Sequence, residues 1–165
     1  INELQKHITE KNSPTVTTES NPQLWEMMNN HRKFCAQTLS KHEKEQNRKN
    51  LANLPKDKIP YWDFDAPGKP NALRDVSAAS IFASSFLELG QYTEGKEKEQ
   101  YVNLAKTMLK SLSSPKYRAK LGANGGYLLM HSVGSIPHNS EVDVPLTYAD
   151  YYFLEALLRY QKWYL

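Results

Sequence analysis

Residues 75–90, DVSAASIFASSFLELG, decide the fold that the sequence predicts. Asp75 stands where it can cap a helix, because its carboxylate can accept hydrogen bonds from the free backbone N–H groups of the first turn. Apolar residues then recur at helical spacing: Val76, Ala79, Phe82, Ala83, Phe86 and Leu87. The other face carries small residues, which let neighbours approach closely on several sides. We therefore expect an inner helix that begins after Asp75 and ends at Gly90.

A second helix is predicted over residues 98–112, where one stripe is apolar and lysines lie opposite. The stripe consists of Tyr101, Val102, Ala105, Met108, Leu109 and Leu112. The two helices are expected to form an antiparallel hairpin, with the inner helix first.

Beyond this hairpin, Ser114 and Pro115 predict the start of a short helix that stops at Gly122. Residues 127–131 follow a glycine pair and are expected to form a short strand or an extended loop edge. A long loop is predicted from there to Leu146.

A last helix is predicted from Thr147 to about Trp163. Thr147 and Asp150 are spaced like a capping box, with Asp in place of the usual Glu. No strand-rich segment alternates with the predicted helices, which disfavours doubly wound α/β folds. The predicted class is all-α, built from paired helices with long connections.

Residues 1–53 form a separate segment in this interpretation, and residues 54–165 form the domain. Residues 1–20 are polar and offer little to bury, whereas Asn21 and Pro22 predict the start of a helix that reaches His42 or beyond. Cys35 lies in that helical pattern and is the single cysteine, so no disulfide can form within the chain. We expect a buried, inert thiol rather than a nucleophile.

Charge and hydropathy exclude some classes of function. The net charge is +3, with 21 basic and 18 acidic residues interspersed, so we expect no nucleic-acid partner. No apolar run approaches the roughly 20 residues that cross a bilayer, so we expect no membrane span. The first residues lack the apolar stretch of a signal peptide, and the sequence does not indicate a compartment.

The loops carry the residue types that bind sugars. Residues 61–65, YWDFD, combine aromatic rings, which stack on pyranose faces, with carboxylates, which accept hydrogen bonds from hydroxyls. The alternative is that Trp62 and Phe64 anchor the loop to the core while Asp63 and Asp65 cap turns. Composition alone leaves both interpretations open and favours the second.

The loop at residues 127–146 contains two histidines and two carboxylates, His131, His138, Glu141 and Asp143. Their spacing matches no metal-binding motif, and we predict neither a metal nor a cofactor. Ser132 and Ser135 do not lie in a nucleophile-elbow pattern, so we expect them to act as hydrogen-bonding groups.

Three motifs occur in the order of one family: residues 59–67 (IPYWDFDAP), residues 74–78 (RDVSA), and residues 141–146 (EVDVPL) running into residues 148–157 (YADYYFLEAL). Together they resemble glycoside hydrolase family 88, the unsaturated glucuronyl hydrolases. The resemblance covers residues 54–163 well and the earlier residues poorly. It implies the C-terminal half of an (α/α)6 toroid of six helical hairpins, with long loops at the pocket end.

The resemblance also implies an activity. Members of the family release an unsaturated uronic acid from oligosaccharides that polysaccharide lyases leave behind. A carboxyl group protonates the vinyl-ether double bond and activates the water that hydrates it, so one Asp acts as acid and base in turn. The implied partners are an unsaturated uronate-containing oligosaccharide and the missing N-terminal half of the toroid.

The catalytic Asp of the family belongs to that N-terminal half, and the family's Arg-Gly-Gln-Ala-Trp motif has no counterpart in residues 1–53. We therefore assign no catalytic residue in this chain and expect it to be inactive alone. Ser132 corresponds to a position that binds a substituted neighbouring sugar in some relatives, and His131 and Gly134 flank it. Trp62 completes the predicted substrate-binding set.

Two departures and one alternative qualify the resemblance. A basic residue that some relatives use for sulfate is not evident at Gly134, which puts sulfate selectivity in doubt. Helix capping explains Asp75 better than substrate contact does. The alternative function is a noncatalytic carbohydrate-binding or interaction module that has lost the catalytic half.

Overall fold

The computed structural model describes Leu51 and residues 54–165. The polar segment at residues 1–20, the predicted helix from Pro22 to His42 and Cys35 lie outside them. In chain order the elements are helix α1 (Val76–Tyr92), helix α2 (Gly95–Leu112), a 3-10 turn (Asn124–Gly126), strand β1 (Ser132–Ser135), strand β2 (Ser140–Val144) and helix α3 (Thr147–Tyr164).

Helix α1 begins as predicted, with Asp75 as its N-cap accepting a hydrogen bond from the Ser77 N–H. The predicted end at Gly90 is wrong, because the helix continues to Tyr92 and Thr93 turns extended after it. A Cβ at Gly90 would collide with the Tyr164 hydroxyl and lie 3.2 Å from Cγ2 of Val102. Gly90 is therefore needed for close packing of α1 against its neighbours and not for termination.

Helix α2 starts at Gly95, three residues before the predicted Lys98. Only Thr93 and Glu94 separate the two helices, which makes α1 and α2 antiparallel neighbours. The rings of Phe86 and Tyr101 stack across the pair with centroids 5.7 Å apart. The buried residues of α2 belong to the predicted stripe: Ala105, Met108, Leu109 and Leu112.

Helix α3 agrees with the prediction within one residue at its end, but the predicted capping box is wrong. Thr147 is the first helical residue, and Leu146 before it makes no side-chain cap. The carboxylate of Asp150 instead accepts hydrogen bonds from the N–H groups of Leu128 (2.7 Å) and Leu129 (2.9 Å). Asp150 therefore anchors a distant loop to the helix, which local spacing does not indicate.

Helix α1 packs against both α2 and α3, as expected for an inner helix. Tyr164 donates a hydrogen bond to the Leu87 carbonyl at 2.7 Å. Arg159 donates to the Ser84 carbonyl at 3.0 Å and pairs with Glu88 at 2.8 Å. These polar contacts fix the register between α1 and α3.

The predicted short helix from Pro115 to Gly122 is wrong. The chain makes one turn at Ser114, whose carbonyl accepts from Tyr117 N (3.0 Å) and Arg118 N (2.8 Å), and then runs extended. Arg118 and Leu129 form an antiparallel bridge, so the extended loop edge predicted at residues 127–131 is confirmed. Tyr117 is buried, and pairing the backbone here satisfies the peptide groups beside it.

The long loop predicted up to Leu146 is also wrong, because it contains an antiparallel hairpin of β1 and β2. The register pairs Ser132 with Val144 and Ser135 with Ser140, with an irregularity after Ser132. Three residues of the hairpin have positive φ, namely Asn139 (49°), Glu141 (56°) and Asp143 (55°). These kinks interrupt the alternation that marks a strand in sequence.

The described part of the chain is thus mostly helical, with one small sheet, and its core lies around α1. None of its helices is long and apolar enough to span a bilayer. One face of α3 stays open to solvent, where Leu158 is 66% and Leu154 48% exposed.

Candidate functional site

Asp75 ties the start of α1 to the hairpin. Its Oδ1 atom accepts from Ser77 N (2.9 Å), Ser77 Oγ (2.7 Å) and Val133 N (3.3 Å). Val76 N also donates to the His131 carbonyl at 3.2 Å. Asp75 is only 9% exposed, and its Oδ1 accepts all three of these hydrogen bonds. Asp75 therefore has a structural role, which is to join the start of α1 to the hairpin.

His131 and Asp143 form an exposed pair beside this junction. His131 Nδ1 lies 2.7 Å from Asp143 Oδ1, and both side chains are 43% exposed. Both residues have positive φ, 70° and 55°, which is uncommon for residues other than glycine. Such strain concentrates at functional sites, where the surrounding structure imposes it. Within the described part of the chain, Nε2 of His131 forms no hydrogen bond.

Ser132 is fully buried beneath this surface. Its hydroxyl is 0% exposed and has no hydrogen-bond partner among the described residues. A buried, unpaired hydroxyl costs stability, and such groups call for an explanation beyond packing.

Gly134 makes room for an acidic side chain. A Cβ at Gly134 would collide with the Glu141 carboxylate and lie 2.9 Å from the Glu141 Cβ. The Glu141 side chain therefore occupies the space that a side chain at position 134 would need.

Residues of the loop at 61–65 form hydrogen bonds that hold the loop itself in place. Trp62 is half-buried, and its backbone N–H donates to the Leu73 carbonyl at 3.0 Å beside the bridge between Tyr61 and Arg74. Asp63 accepts from Asp65 N at 2.7 Å, which is the turn-capping role given as the alternative for this residue. Phe64 is exposed.

A cluster around Asp57 stabilises this loop, and sequence reasoning missed it. The Asp57 carboxylate accepts from Tyr117 Oη at 2.8 Å, Arg74 Nη1 at 3.0 Å and Lys116 Nζ at 3.2 Å. Burial by itself raises the pKa of Asp57, but the Tyr117 hydrogen bond and the Arg74 charge outweigh it, and the pKa lies below its ordinary value. No local pattern could reveal a contact between residues so far apart in sequence.

The Asp57 cluster also reaches the candidate site. The rings of Tyr117 and His131 meet edge to face, with centroids 6.5 Å apart. The structure thus brings His131, Ser132 and Gly134 together at β1, while Trp62 lies in the loop that leads to α1. Among the residues described, no group of three His, Cys, Asp or Glu side chains could hold a metal ion.

A wide groove between α2 and α3 contains none of the predicted site residues. Its lining includes Lys106, Lys110, Leu157 and Tyr160. Because it is open to solvent and contains none of the predicted site residues, we assign no site to it.

The known proteins that are similar in sequence to this chain carry related names. No protein-family model matches the chain. It is similar to an unsaturated glucuronyl hydrolase of Formosa agariphila, with 48% identity over 110 residues that cover 67% of this chain and 27% of the relative. The chain thus spans about three tenths of the length of the curated relatives that it matches.

Solved structures agree with this similarity. The crystal structure of an unsaturated glucuronyl hydrolase specific for heparin has a TM-score of 0.65 and 46% identity, covering 69% of this chain and 30% of that one. A mutant unsaturated glucuronyl hydrolase from Streptococcus agalactiae, complexed with dGlcA-GalNAc6S, has a TM-score of 0.62 and 36% identity, covering 70% and 31%.

Proposed function

Since about two thirds of this chain belongs to the unsaturated glucuronyl hydrolases, glycoside hydrolase family 88, we propose that it is part of an enzyme that releases unsaturated uronic acid from lyase-generated oligosaccharides. The observation that carries the proposal is the shared sequence and fold over the same residues. The proposed reaction is hydration of the vinyl ether, after which the unstable hemiketal opens and releases the neighbouring sugar.

We assign residues 54–165 to the C-terminal half of an (α/α)6 toroid. The packing of α1 against helices on both sides supports this assignment, because an inner helix of a toroid needs two neighbours. The exposed apolar side chains of α3 support it as well, since a further helix would cover them.

The proposed catalytic acid lies in the N-terminal half of the toroid and is not among the 165 residues of this chain. Asp75 does not fit that role, because its Oδ1 accepts three hydrogen bonds and holds the hairpin in place. An acid and base used in turn needs freedom to gain and lose a proton at a reacting atom.

The proposed substrate-binding residues are Trp62, His131, Ser132 and Gly134. Among them His131 has the most suitable geometry, because Asp143 orients its ring through Nδ1 and Nε2 forms no hydrogen bond with any described residue. Gly134 can contribute backbone groups at an exposed strand position. The Ser132 hydroxyl lies beneath the surface, so its contact with a sugar requires movement of the groups that cover it.

The experiment follows the loss of the unsaturated uronate's absorbance on lyase-generated disaccharides. The complete gene product that contains this chain is expected to remove the absorbance, whereas the 165-residue chain alone is expected to leave it unchanged. An inactive complete product would refute the proposed function, and an active isolated chain would refute our placement of the acid.

A matched pair of variants tests the binding role. His131→Ala is expected to raise KM about tenfold or more, since it removes an oriented donor or acceptor. His138→Ala is the control, because it lies at the hairpin tip and its ring hydrogen-bonds only to Ser135 among the described residues. Equal effects of the two changes would contradict the role of His131.

A further inference from the structure

Two side chains hold the imidazole of His131. The Asp143 carboxylate lies 2.7 Å from Nδ1, and the Tyr117 ring meets the imidazole edge to face, with the two ring planes 81° apart. The Asp143 side chain is 43% exposed, whereas Tyr117 is only 1% exposed. Because a ring packed in the interior has few alternative rotamers, Tyr117 is the more rigid of the two contacts.

Tyr117 is itself fixed through its hydroxyl, its ring and its backbone. Its hydroxyl donates to Asp57 Oδ2 at 2.8 Å, and the Lys116 ammonium lies 4.7 Å from the centre of its ring. Its backbone carbonyl accepts a hydrogen bond from Met130 N at 2.9 Å. Since Met130 directly precedes His131, Tyr117 contacts both the main chain that leads to His131 and the imidazole itself.

Asp57 connects this arrangement to the loop that leads into α1. Its Oδ1 accepts from Arg74 Nη1 at 3.0 Å and from the backbone N–H of Ile59 at 3.3 Å. Both oxygens of the carboxylate are thus engaged, so the acceptor of the Tyr117 hydroxyl cannot rotate without losing the hydrogen bonds of the other oxygen. The Tyr117 ring is therefore held from a point outside the hairpin.

The backbone of His131 shows why its ring needs this support. Its φ is 70°, which is uncommon for a residue other than glycine and persists where the surrounding structure imposes it. A partly exposed histidine without a rigid neighbour samples several rotamers, and ordering it on binding reduces affinity for the ligand. A ring that is already ordered avoids this loss.

We propose that Tyr117, anchored by Asp57, is a positioning residue that fixes the His131 ring for binding of the uronate-containing oligosaccharide. The inference rests on the proposed function, because His131 belongs to the proposed substrate-binding set. Tyr117 acts through His131 and does not itself contact the ligand. Its loss should therefore raise KM and leave kcat nearly unchanged, since the order of the ring before binding contributes to substrate affinity.

The test measures KM and kcat of the complete gene product on lyase-generated disaccharides. Tyr117→Leu removes the ring and should raise KM about tenfold, as His131→Ala does. Tyr117→Phe keeps the ring without the hydrogen bond to Asp57 and should raise KM about threefold. In both variants kcat should change less than about twofold.

Tyr164→Phe is the matched control. It also removes one tyrosine hydroxyl, which donates to the Leu87 carbonyl at 2.7 Å, but Tyr164 is the last residue of α3 and does not contact His131. Its loss should leave KM unchanged.

A double-mutant cycle separates positioning from a merely structural role. If Tyr117 acts through His131, adding Tyr117→Leu to His131→Ala should raise KM no further. Melting temperatures establish which variants are folded, and the same cycle with Tyr117→Phe decides the question should Tyr117→Leu fail to fold. Independent effects of the two changes, or an unchanged KM in the folded Tyr117 variants, would overturn the inference while leaving the proposed function intact.

If no disaccharide is hydrolysed, the proposed function fails, and nuclear magnetic resonance of the 165-residue chain decides the positioning role. Nuclear Overhauser contacts between the His131 ring and Asp143 should weaken in Tyr117→Phe and persist in Tyr164→Phe. Contacts of equal strength in the wild-type chain and in both variants would overturn the inference.

Discussion

The loop that leads into α1 and the hairpin of β1 and β2 both carry carboxylates, but they use them differently. In the loop region, Asp57 holds a tyrosine, an arginine and a lysine together. In the hairpin, Glu141 has no partner among the described residues, and Asp143 pairs only with the exposed His131. The carboxylate of the loop region forms polar contacts that hold the fold together, whereas the carboxylates of the hairpin lie at the surface.

This difference separates residues that hold the fold together from residues that stay exposed at the candidate site. Substitutions around Asp57 should cost stability first and affect binding through it. Substitutions in the hairpin should cost little stability, or even increase it, and should affect ligand selection directly.

Asp57→Ala should have the largest effect on stability. It removes the acceptor shared by Tyr117, Arg74 and Lys116, and we expect the free energy of unfolding to fall by about 2–3 kcal/mol. Urea denaturation of the chain measures this. Asp65→Ala, an exposed carboxylate of the neighbouring loop, is the control and should cost less than about 0.5 kcal/mol. Similar losses for both would show that the Asp57 cluster does not stabilise the fold.

The stabilising contribution of the Asp57 cluster should depend on pH. Folding lowers the pKa of Asp57 below its ordinary value of 3.8, so its stabilising contribution is present above that pH and is lost as pH falls through the lower folded value. Asp57→Asn cannot lose this contribution. The stability difference between the wild-type chain and Asp57→Asn should therefore shrink below about pH 3.8, and a difference independent of pH would contradict the lowered pKa.

Asp150 also stabilises the fold, because its carboxylate holds the segment that precedes the hairpin. Asp150→Ala removes the acceptor of the Leu128 and Leu129 N–H groups and should cost about 1–2 kcal/mol. Hydrogen exchange of those two amides should accelerate with it. Asp150→Asn keeps one acceptor oxygen and should show a smaller change, and unchanged exchange in Asp150→Ala would rule out the anchor.

Ser132→Ala should leave stability unchanged or raise it by up to about 1 kcal/mol, because the buried hydroxyl has no partner. Thermal unfolding measures the change. A loss of more than about 1 kcal/mol would show that the hydroxyl is satisfied in the folded protein. Ser80→Ala is the matched control, since the Ser80 hydroxyl donates to the Val76 carbonyl at 2.8 Å.

The helices could be predicted because their information is local. Asp75 as a cap and the apolar stripe of α2 follow from spacing alone, and both are confirmed. The role of Gly90 could not be predicted, because a glycine that ends a helix and a glycine that admits Tyr164 look the same in sequence.

The polar contacts around the candidate site could be predicted only in part, because most of them join residues that are distant in sequence. The resemblance selected His131, Ser132 and Gly134, which lie together at β1. The roles of Asp57 and Asp150 depend on partners that are distant in sequence, and the hairpin is hidden by positive φ at residues that ordinarily avoid it. Periodicity records which face of an element is buried, but it does not record long-range polar contacts.

Glu141→Gly should change stability only slightly, and it should raise it. Its φ of 56° is strained for glutamate and free of strain for glycine, so we expect a gain of about 0.5 kcal/mol after the added freedom of the unfolded chain is counted. Asn139→Gly is the control, because asparagine tolerates its φ of 49° and should gain less. If Glu141→Gly destabilised the chain as strongly as Asp150→Ala, the Glu141 side chain would be part of the structural framework, and the contrast between the two regions would fail.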